Sequence, residues 1–355
     1  MSDYEEAEDE ALNSKRDFLS ISTNKVVASN PSECSLARKK AHEASGRKGP
    51  LICSTSTELD AMKRMIKTKT GSDSFNHKSD FEVVEKAKLI TKCNSESCVY
   101  NQPDFADEMG MEQFMIESLM NTRFMGEGPH DNANPLTNFN IKGVMQQFDS
   151  VYPDFQEIPF QMMDFMEPKG HNALRDFNFD SAFRNGKRTF AVIINTDRIL
   201  PNDTRKTIGK HWFCLFFDFR SLPSNFFSTR PARKTSTKKK SLGRNVITTR
   251  SCQIEYFNSS GRAPYKEVRE YFTHVKSYFE THYPEINLWQ LSSNQAQQQY
   301  SDTQCGVYSL CYIEERLKGT PYCFFLKFRI TDADMAKLRK ALFRHTDSRK
   351  RMLRR

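Results

Sequence analysis

The chain has 355 residues, of which 37% are apolar, 27% charged and 12% aromatic, with 28 Phe against 2 Trp. Such length and composition exclude wholesale disorder, a collagen-like fibre and a lone small module, and fit one large domain with an appendage or two domains. The formal charge of +9 comes from 53 Lys and Arg against 44 Asp and Glu, placed unevenly: Asp3 to Glu10 is acidic, while Arg230 to Arg244 and Arg344 to Arg355 are basic.

No window approaches the roughly 20 apolar residues of a membrane span, and MSDYEEAEDE lacks the basic-then-apolar start of a signal peptide, so a soluble, unexported protein is expected. The nine Cys (34, 53, 93, 98, 214, 252, 305, 311 and 323) show no framework spacing of a small secreted scaffold, which favours a reducing compartment. Basic runs are usually solvated tails or loops; their sharper reading is contact with nucleic acid or another polyanion.

Residues 1–80 are rich in Ser, Lys, Glu and Asn with no sustained period, and are expected to be mostly disordered or loosely helical. Residues 81–130 tighten into a helical arm and connector: Val83, Ala87 and Ile90 recur at helical spacing, as do Phe105, Met109, Ile116 and Met120. The Gly, Pro and Asn cluster from Met125 to Pro135 marks a boundary, and residues 131–345 are expected to form one domain, followed by a basic tail, 346–355.

Within that domain, strands are expected at 188–197, 211–219 and 251–259, and a helix at 267–283. The first two strands are nearly continuous apolar runs, which predicts burial on both faces. A polar stretch, NQAQQQYSDTQ, then leads into a helix from Cys305 that ends near Gly319, and a last helix covers DADMAKLRKALFRH.

Cys305 opens its helix, with Asp302 or Thr303 as candidate cap, so its thiol sits at the positive end of the peptide dipoles, where thiolate is favoured. A single Cys is by default a small buried hydrophobe; what singles out this one is the company of an imidazole and an orienting amide. His211 begins one apolar strand and Asn258 ends the next, so an antiparallel hairpin makes them neighbours, although the period-2 alternation leaves open whether their side chains face compatibly. Of the eight His, His211 alone enters a buried strand. The same hairpin sends the basic 220–250 insertion to the opposite end, about 25–30 Å away.

An oxyanion needs donors, which the Cys305 amide and a nearby side-chain amide can supply; Gln299 is the candidate and Gln297 and Gln298 the alternatives. Cys93 and Cys98 have no His partner at zinc-finger spacing, and no GxxxxGK loop is present, so neither a metal nor any other cofactor is expected.

GKHWFCLFFDF, IEYFNSSG and DTQCGVYSLCYI resemble the three catalytic blocks of the Ulp1/adenain type of cysteine protease, closest to the polyprotein-processing proteases of African swine fever virus and giant-virus relatives. LTNFNI, MMDF, INTD, RITDADM and LFR extend the similarity over about residues 131–345, and PSEC and SESCV echo the arm of those proteins. The resemblance implies an α+β fold with a central mixed sheet flanked by helices, and a helical arm before it. It also implies roles: His211 as general base, Asn258 as its orienting partner, Cys305 as nucleophile and Gln299 in the oxyanion hole, with Trp212 packed beside the imidazole. The third member is Asn, where the broader family often has Asp.

The expected function is therefore a cysteine endopeptidase of a large DNA virus that cuts structural polyproteins after Gly-Gly during virion maturation, in the host cytoplasm at assembly sites and in the virion. Two alternatives stand beside it: a protease of host ubiquitin-like or SUMO-like conjugates, and a non-catalytic polyanion-binding scaffold. Nucleic acid, through the basic segments, is an expected secondary partner.

Overall fold

In the computed structural model the described residues are 33–46, 49–129, 134–168, 172–198, 211–223, 226, 250–292 and 297–345. They fall in two compact units, one within residues 132–336 and the other within 17–131 together with 337–355. No helix among the described residues is long and apolar enough to cross a membrane.

The second unit begins with α1 (Leu36–Ala44), α2 (Ser56–Thr70), α3 (Asp80–Thr91), α4 (Glu96–Tyr100), α5 (Pro103–Met109) and α6 (Gln113–Arg123). Within residues 33–80, where loose structure was expected, α2 instead buries Leu59, Met62, Met65 and Ile66 against Val83, Val84, Phe105 and Ile116. The apolar residues of α2 are spread through Lys- and Thr-rich sequence, so composition conceals a stripe that only helical spacing collects. Residues 1–32 lie outside the described residues. The strand pair β1 (Glu127–Gly128) and β8 (Arg344–His345) brings the C-terminal end of the chain into this unit. A Cβ on Gly128 would lie 2.4 Å from the Phe343 ring, so only glycine permits that approach.

Disulfides join Cys34 to Cys53 and Cys93 to Cys98, pairings that the cysteine spacing did not disclose. Cys34 meets Cys53 through tertiary packing, invisible to spacing; Cys93, in the turn after α3, is joined to Cys98 within α4. Nearby, the buried Glu96 carboxylate accepts from Cys53 N at 3.1 Å, Ser54 N at 2.8 Å and Ser54 Oγ at 2.5 Å, while Tyr100 Oη donates to Ser54 Oγ at 2.9 Å. Burial pushes that carboxyl up, and the three donors keep its oxygens satisfied.

The first unit is a mixed sheet between helices. It starts with α7 (Asn138–Val151), β2 (Phe155–Glu157), β3 (Gln161–Met162) and α8 (Phe179–Arg184), then β4 (Thr189–Asn195), β5 (Trp212–Asp218) and β6 (Arg250–Phe257). It continues with α9 (Lys266–His282), β7 (Ile286–Ser292), α10 (Cys305–Lys318) and α11 (Tyr322–Lys327), and α12 (Asp332–Leu342) leaves it. The strand order is β2-β4-β5-β6-β7, with β3 also on β4; β4, β5 and β6 run antiparallel in sequence, and β2, β3 and β7 pair in parallel.

The apolar runs of β4 and β5 are buried along their length, as expected for strands covered on both faces. On one face Phe190, Val192, Ile194, Phe213, Leu215, Phe217, Ile254 and Tyr256 pack with α8 and α9. On the other lies α10: Phe257 stacks on Tyr312 with centroids 4.4 Å apart, Cys214 Sγ meets Ser309 O at 3.8 Å, and the Arg316 guanidinium covers Phe216.

A buried ionic knot locks α10 to the sheet. Arg316 Nε and Nη2 donate to Glu255 Oε2 and Oε1 at 2.8 and 2.7 Å, Nη2 also reaches Asp218 Oδ2 at 3.0 Å, and Tyr312 Oη donates to Glu255 at 2.5 Å. Glu255 has no exposed surface, so losing its counter-charge leaves a carboxylate where water cannot reach it. Arg316→Met is expected to cost about 3–5 kcal/mol, read as a lower urea midpoint; a loss below about 1 kcal/mol would show that Tyr312 alone satisfies Glu255.

Candidate active site

The register settles what the strand alternation left open. Cys214 lies opposite Phe257 on the antiparallel pair, which puts His211 and Asn258 in the phase of Phe213 and Tyr256, whose rings are 5.3 Å apart. Both residues stand just beyond the strand ends, and Thr196 N donates to the His211 carbonyl at 3.0 Å, prolonging the ladder.

His211 Nε2 meets Asn258 Oδ1 at 2.7 Å. Ser260 donates to the same oxygen through its backbone N at 3.0 Å and its hydroxyl at 2.8 Å. A backbone N–H can only donate, so this turn fixes which end of the Asn258 amide faces the ring. Nε2 must then carry the proton, and Nδ1 is left as the basic nitrogen. The Asn258 Nδ2 donates to Tyr256 Oη at 2.8 Å, so the fully buried amide is held from both ends.

Burial lowers the His211 imidazole below its ordinary value of 6.5; the Asn258 bond opposes that shift and the Arg262 charge adds to it. With a depressed folded-state pKa, the native protein binds fewer protons than the unfolded chain, so stability is complete above 6.5 and is lost as pH falls through the folded pKa. The urea midpoint is therefore expected to decline as pH falls below 6.5. His211→Gln should flatten part of that decline; an unchanged slope would assign it elsewhere.

Cys305 is the first residue of α10 and is 2% exposed. The N-cap position is Gln304, not Asp302 or Thr303, and its side chain makes no capping bond; the helix starts one or two residues later than the capping pattern predicts. Trp212, next to His211, ties the two elements together. Its indole N donates to Leu136 O at 3.1 Å, and Leu136 packs so closely on Gly306 that a Cβ there would sit 3.2 Å from the leucine Cβ. Trp212 also meets Phe160 edge-on at 6.4 Å.

Gln299 is brought to the same strand end. Its Oε1 accepts from Ser259 Oγ at 2.6 Å, its backbone N donates to Ser259 O at 2.9 Å, and its Nε2 donates to the Ser301 carbonyl. Gln297 Nε2 donates to Gln299 O at 2.8 Å, whereas Gln298 is buried away, its side chain bonded to the backbone near Phe325. The basic insertion lies largely outside the described residues, but the strand ends that bound it, Asp218 opposite Gln253, are at the far end of the ladder from His211.

Sequence reasoning missed Tyr256, Ser259 and Ser260. A signal existed: Tyr256 lies two residues before Asn258, hence on its face, and Asn-Ser-Ser-Gly is a turn in which an Asn side chain caps the backbone two residues on. Among the described residues, the cluster close enough to hold a metal is Cys34, Cys53 and Glu96, and the disulfide occupies both sulfurs.

An imidazole held by an amide at a strand end, with a buried thiol at the start of the central helix, is an arrangement for thiol chemistry. Known proteins resemble the chain as a whole. The family model "Ulp1 protease family, C-terminal catalytic domain" matches residues 189–351. The chain is 32% identical over 269 residues to a "SUMO-1 cysteine protease" of African swine fever virus, covering 71% of this chain and 83% of that one. A "putative thiol protease" of Acanthamoeba polyphaga mimivirus is 21% identical, covering 78% and 80%. The crystal structure of the African swine fever virus protease superimposes with a TM-score of 0.61 at 25% identity, covering 91% of this chain and 99% of that one. The chain belongs to the Ulp1 family of cysteine proteases and is a thiol protease of the African swine fever virus type.

Proposed function

We propose that this protease cleaves structural polyproteins of a large DNA virus after Gly-Gly pairs during particle maturation, at assembly sites in the host cytoplasm and within the virion. The observation that carries the site assignment is the 2.7 Å bond between His211 Nε2 and Asn258 Oδ1. It leaves Nδ1 as the base, at the sheet end that Trp212 and Leu136 link to the start of the Cys305 helix.

In this reading His211 Nδ1 takes the Cys305 proton and the thiolate attacks the scissile carbonyl. The oxyanion is held by the Cys305 amide and Gln299, the leaving amine takes the proton from His211, and water releases the acid from the thioester. Asn258 keeps the imidazole in the tautomer that works. In this reading the half-buried Phe160 and the buried Trp212, which meet edge-on, are candidate walls for a narrow path that admits a substrate backbone without side chains.

A Gly-Gly-X reporter peptide, assayed with reducing agent at neutral pH, tests the reading: cleavage after the second Gly that Cys305→Ala lacks is expected, and cleavage elsewhere overturns the specificity. The similarity to a SUMO-1 cysteine protease of African swine fever virus favours a second reading, action on a SUMO-like precursor. A large preference for a folded SUMO-like precursor over a viral polyprotein junction would select it. Adding duplex DNA to the same assay reads whether the basic segments bring nucleic acid to the enzyme; acceleration that vanishes with salt is the expected sign.

A further inference from the structure

The loop 297–301, which carries Gln299, is strung between two anchors. On one side the Ser259 carbonyl accepts the Gln298 and Gln299 amides, both at 2.9 Å, one residue from Asn258. On the other side is the segment that follows the Cys305 helix. Gln298 is 2% exposed; its Nε2 donates to Phe325 O at 3.1 Å and Phe328 O at 3.3 Å, and its Oε1 accepts from Ile330 N at 2.7 Å.

Asp332 completes that anchor. Its Oδ2 accepts from Tyr300 N at 2.9 Å and Ser301 N at 3.0 Å, and its Oδ1 lies 3.0 Å from Ser301 Oγ and 3.2 Å from Tyr308 Oη. Ser301 in turn holds Gln299, whose Nε2 donates to its carbonyl. Tyr308, one turn after Cys305, also comes within 3.2 Å of Gln298 O, so one hydroxyl touches loop, brace and helix together. Burial first, and the Asp332 charge second, push that hydroxyl up, so it stays a donor. Arg329 covers the Tyr300 ring at 4.4 Å.

We propose that Asp332, assisted by Gln298, is a positioning residue for the oxyanion site: it holds Ser301, through Ser301 the Gln299 amide, and through Tyr308 the spacing of that amide from the start of the Cys305 helix. The proposal rests on the reading of Gln299 as oxyanion donor. The physical reason is that donors aimed at a developing charge stabilise it only if they are fixed beforehand. A carboxylate with several N–H and O–H donors around it fixes a loop in a way that a carboxamide, with one acceptor oxygen, cannot.

The test uses the full chain, a Gly-Gly-X reporter, a Gly-Gly peptide aldehyde that forms a tetrahedral adduct with the thiol, and iodoacetamide, which alkylates without an oxyanion. Asp332→Asn is expected to lower kcat by about 10- to 100-fold with little change in KM, and to weaken the aldehyde in proportion. Alkylation of Cys305, and its pH profile, should stay as in the wild type. Ser301→Ala, which removes only the hydroxyl facing Asp332, should show the same pattern more weakly and serves if Asp332→Asn does not fold. Wild-type kcat in the folded variants, or alkylation falling in step with kcat, overturns the proposal. Gln299→Ala is run alongside: if it keeps wild-type kcat, the oxyanion reading itself fails; if it loses rate while Asp332→Asn does not, only the brace fails.

Discussion

Cys305→Ala lowers turnover of a Gly-Gly-X peptide by about 10⁴-fold or more, because no other group at the site can form the acyl intermediate. Of the other four described cysteines outside the disulfides, Cys323 lies half-buried on α11 and the remaining three are buried and poorly placed to substitute. Cys214 and Cys311 are fully enclosed, with their thiols pushed well up by burial, and Cys252 is pushed up to about 11 with its sulfur near Ser221. Cys305 alone begins a helix, where the peptide dipoles favour a thiolate. Single-turnover mass spectrometry checks the same point by locating the acyl adduct; more than about a tenth of the wild-type rate in Cys305→Ala would sink the assignment.

His211→Ala is expected to cost roughly 10³-fold or more in kcat/KM, and Asn258 separates the base from its support. Asn258→Ala loses the contact that fixes the tautomer and leaves Tyr256 Oη and Ser260 N turned toward a gap, so a loss of about 10²-fold is expected. Asn258→Asp is the more telling variant. A carboxylate still accepts from His211 Nε2 and Ser260, and the Tyr256 hydroxyl can turn from acceptor to donor. Its charge stabilises the imidazolium, so the variant keeps most of its rate while the His211 titration, followed by NMR, moves upward from its depressed position. An Asn258→Asp enzyme as inactive as Asn258→Ala would show that the amide donor to Tyr256 matters more than the acceptor.

Much of the site was legible because its parts lie on strongly patterned elements. Two apolar runs bounded by His211 and Asn258 pair antiparallel and put those residues at one end, and a Cys at the head of an amphipathic stripe opens a helix. The packing of residues 56–70 was not legible, since α2 buries its stripe inside a Lys-rich composition. Nor was Asp332, which lies 27 residues after the nucleophile and acts on backbone amides 31 and 32 positions earlier in the chain. No periodicity marks a side chain whose partners are the main chain of another segment.

By itself the sequence determined the family, the order His211, Asn258, Cys305, the mixed sheet and the position of the helix that carries the thiol, because local period and block identity survive without knowing the contacts. Only the tertiary structure decided the face on which the imidazole and amide meet, which amide end points at the ring, the two disulfides of the arm, and the brace behind Gln299. Those depend on strand register and on side chains that reach across long sequence separations, and a one-residue slip in register would turn His211 to the opposite face of the sheet.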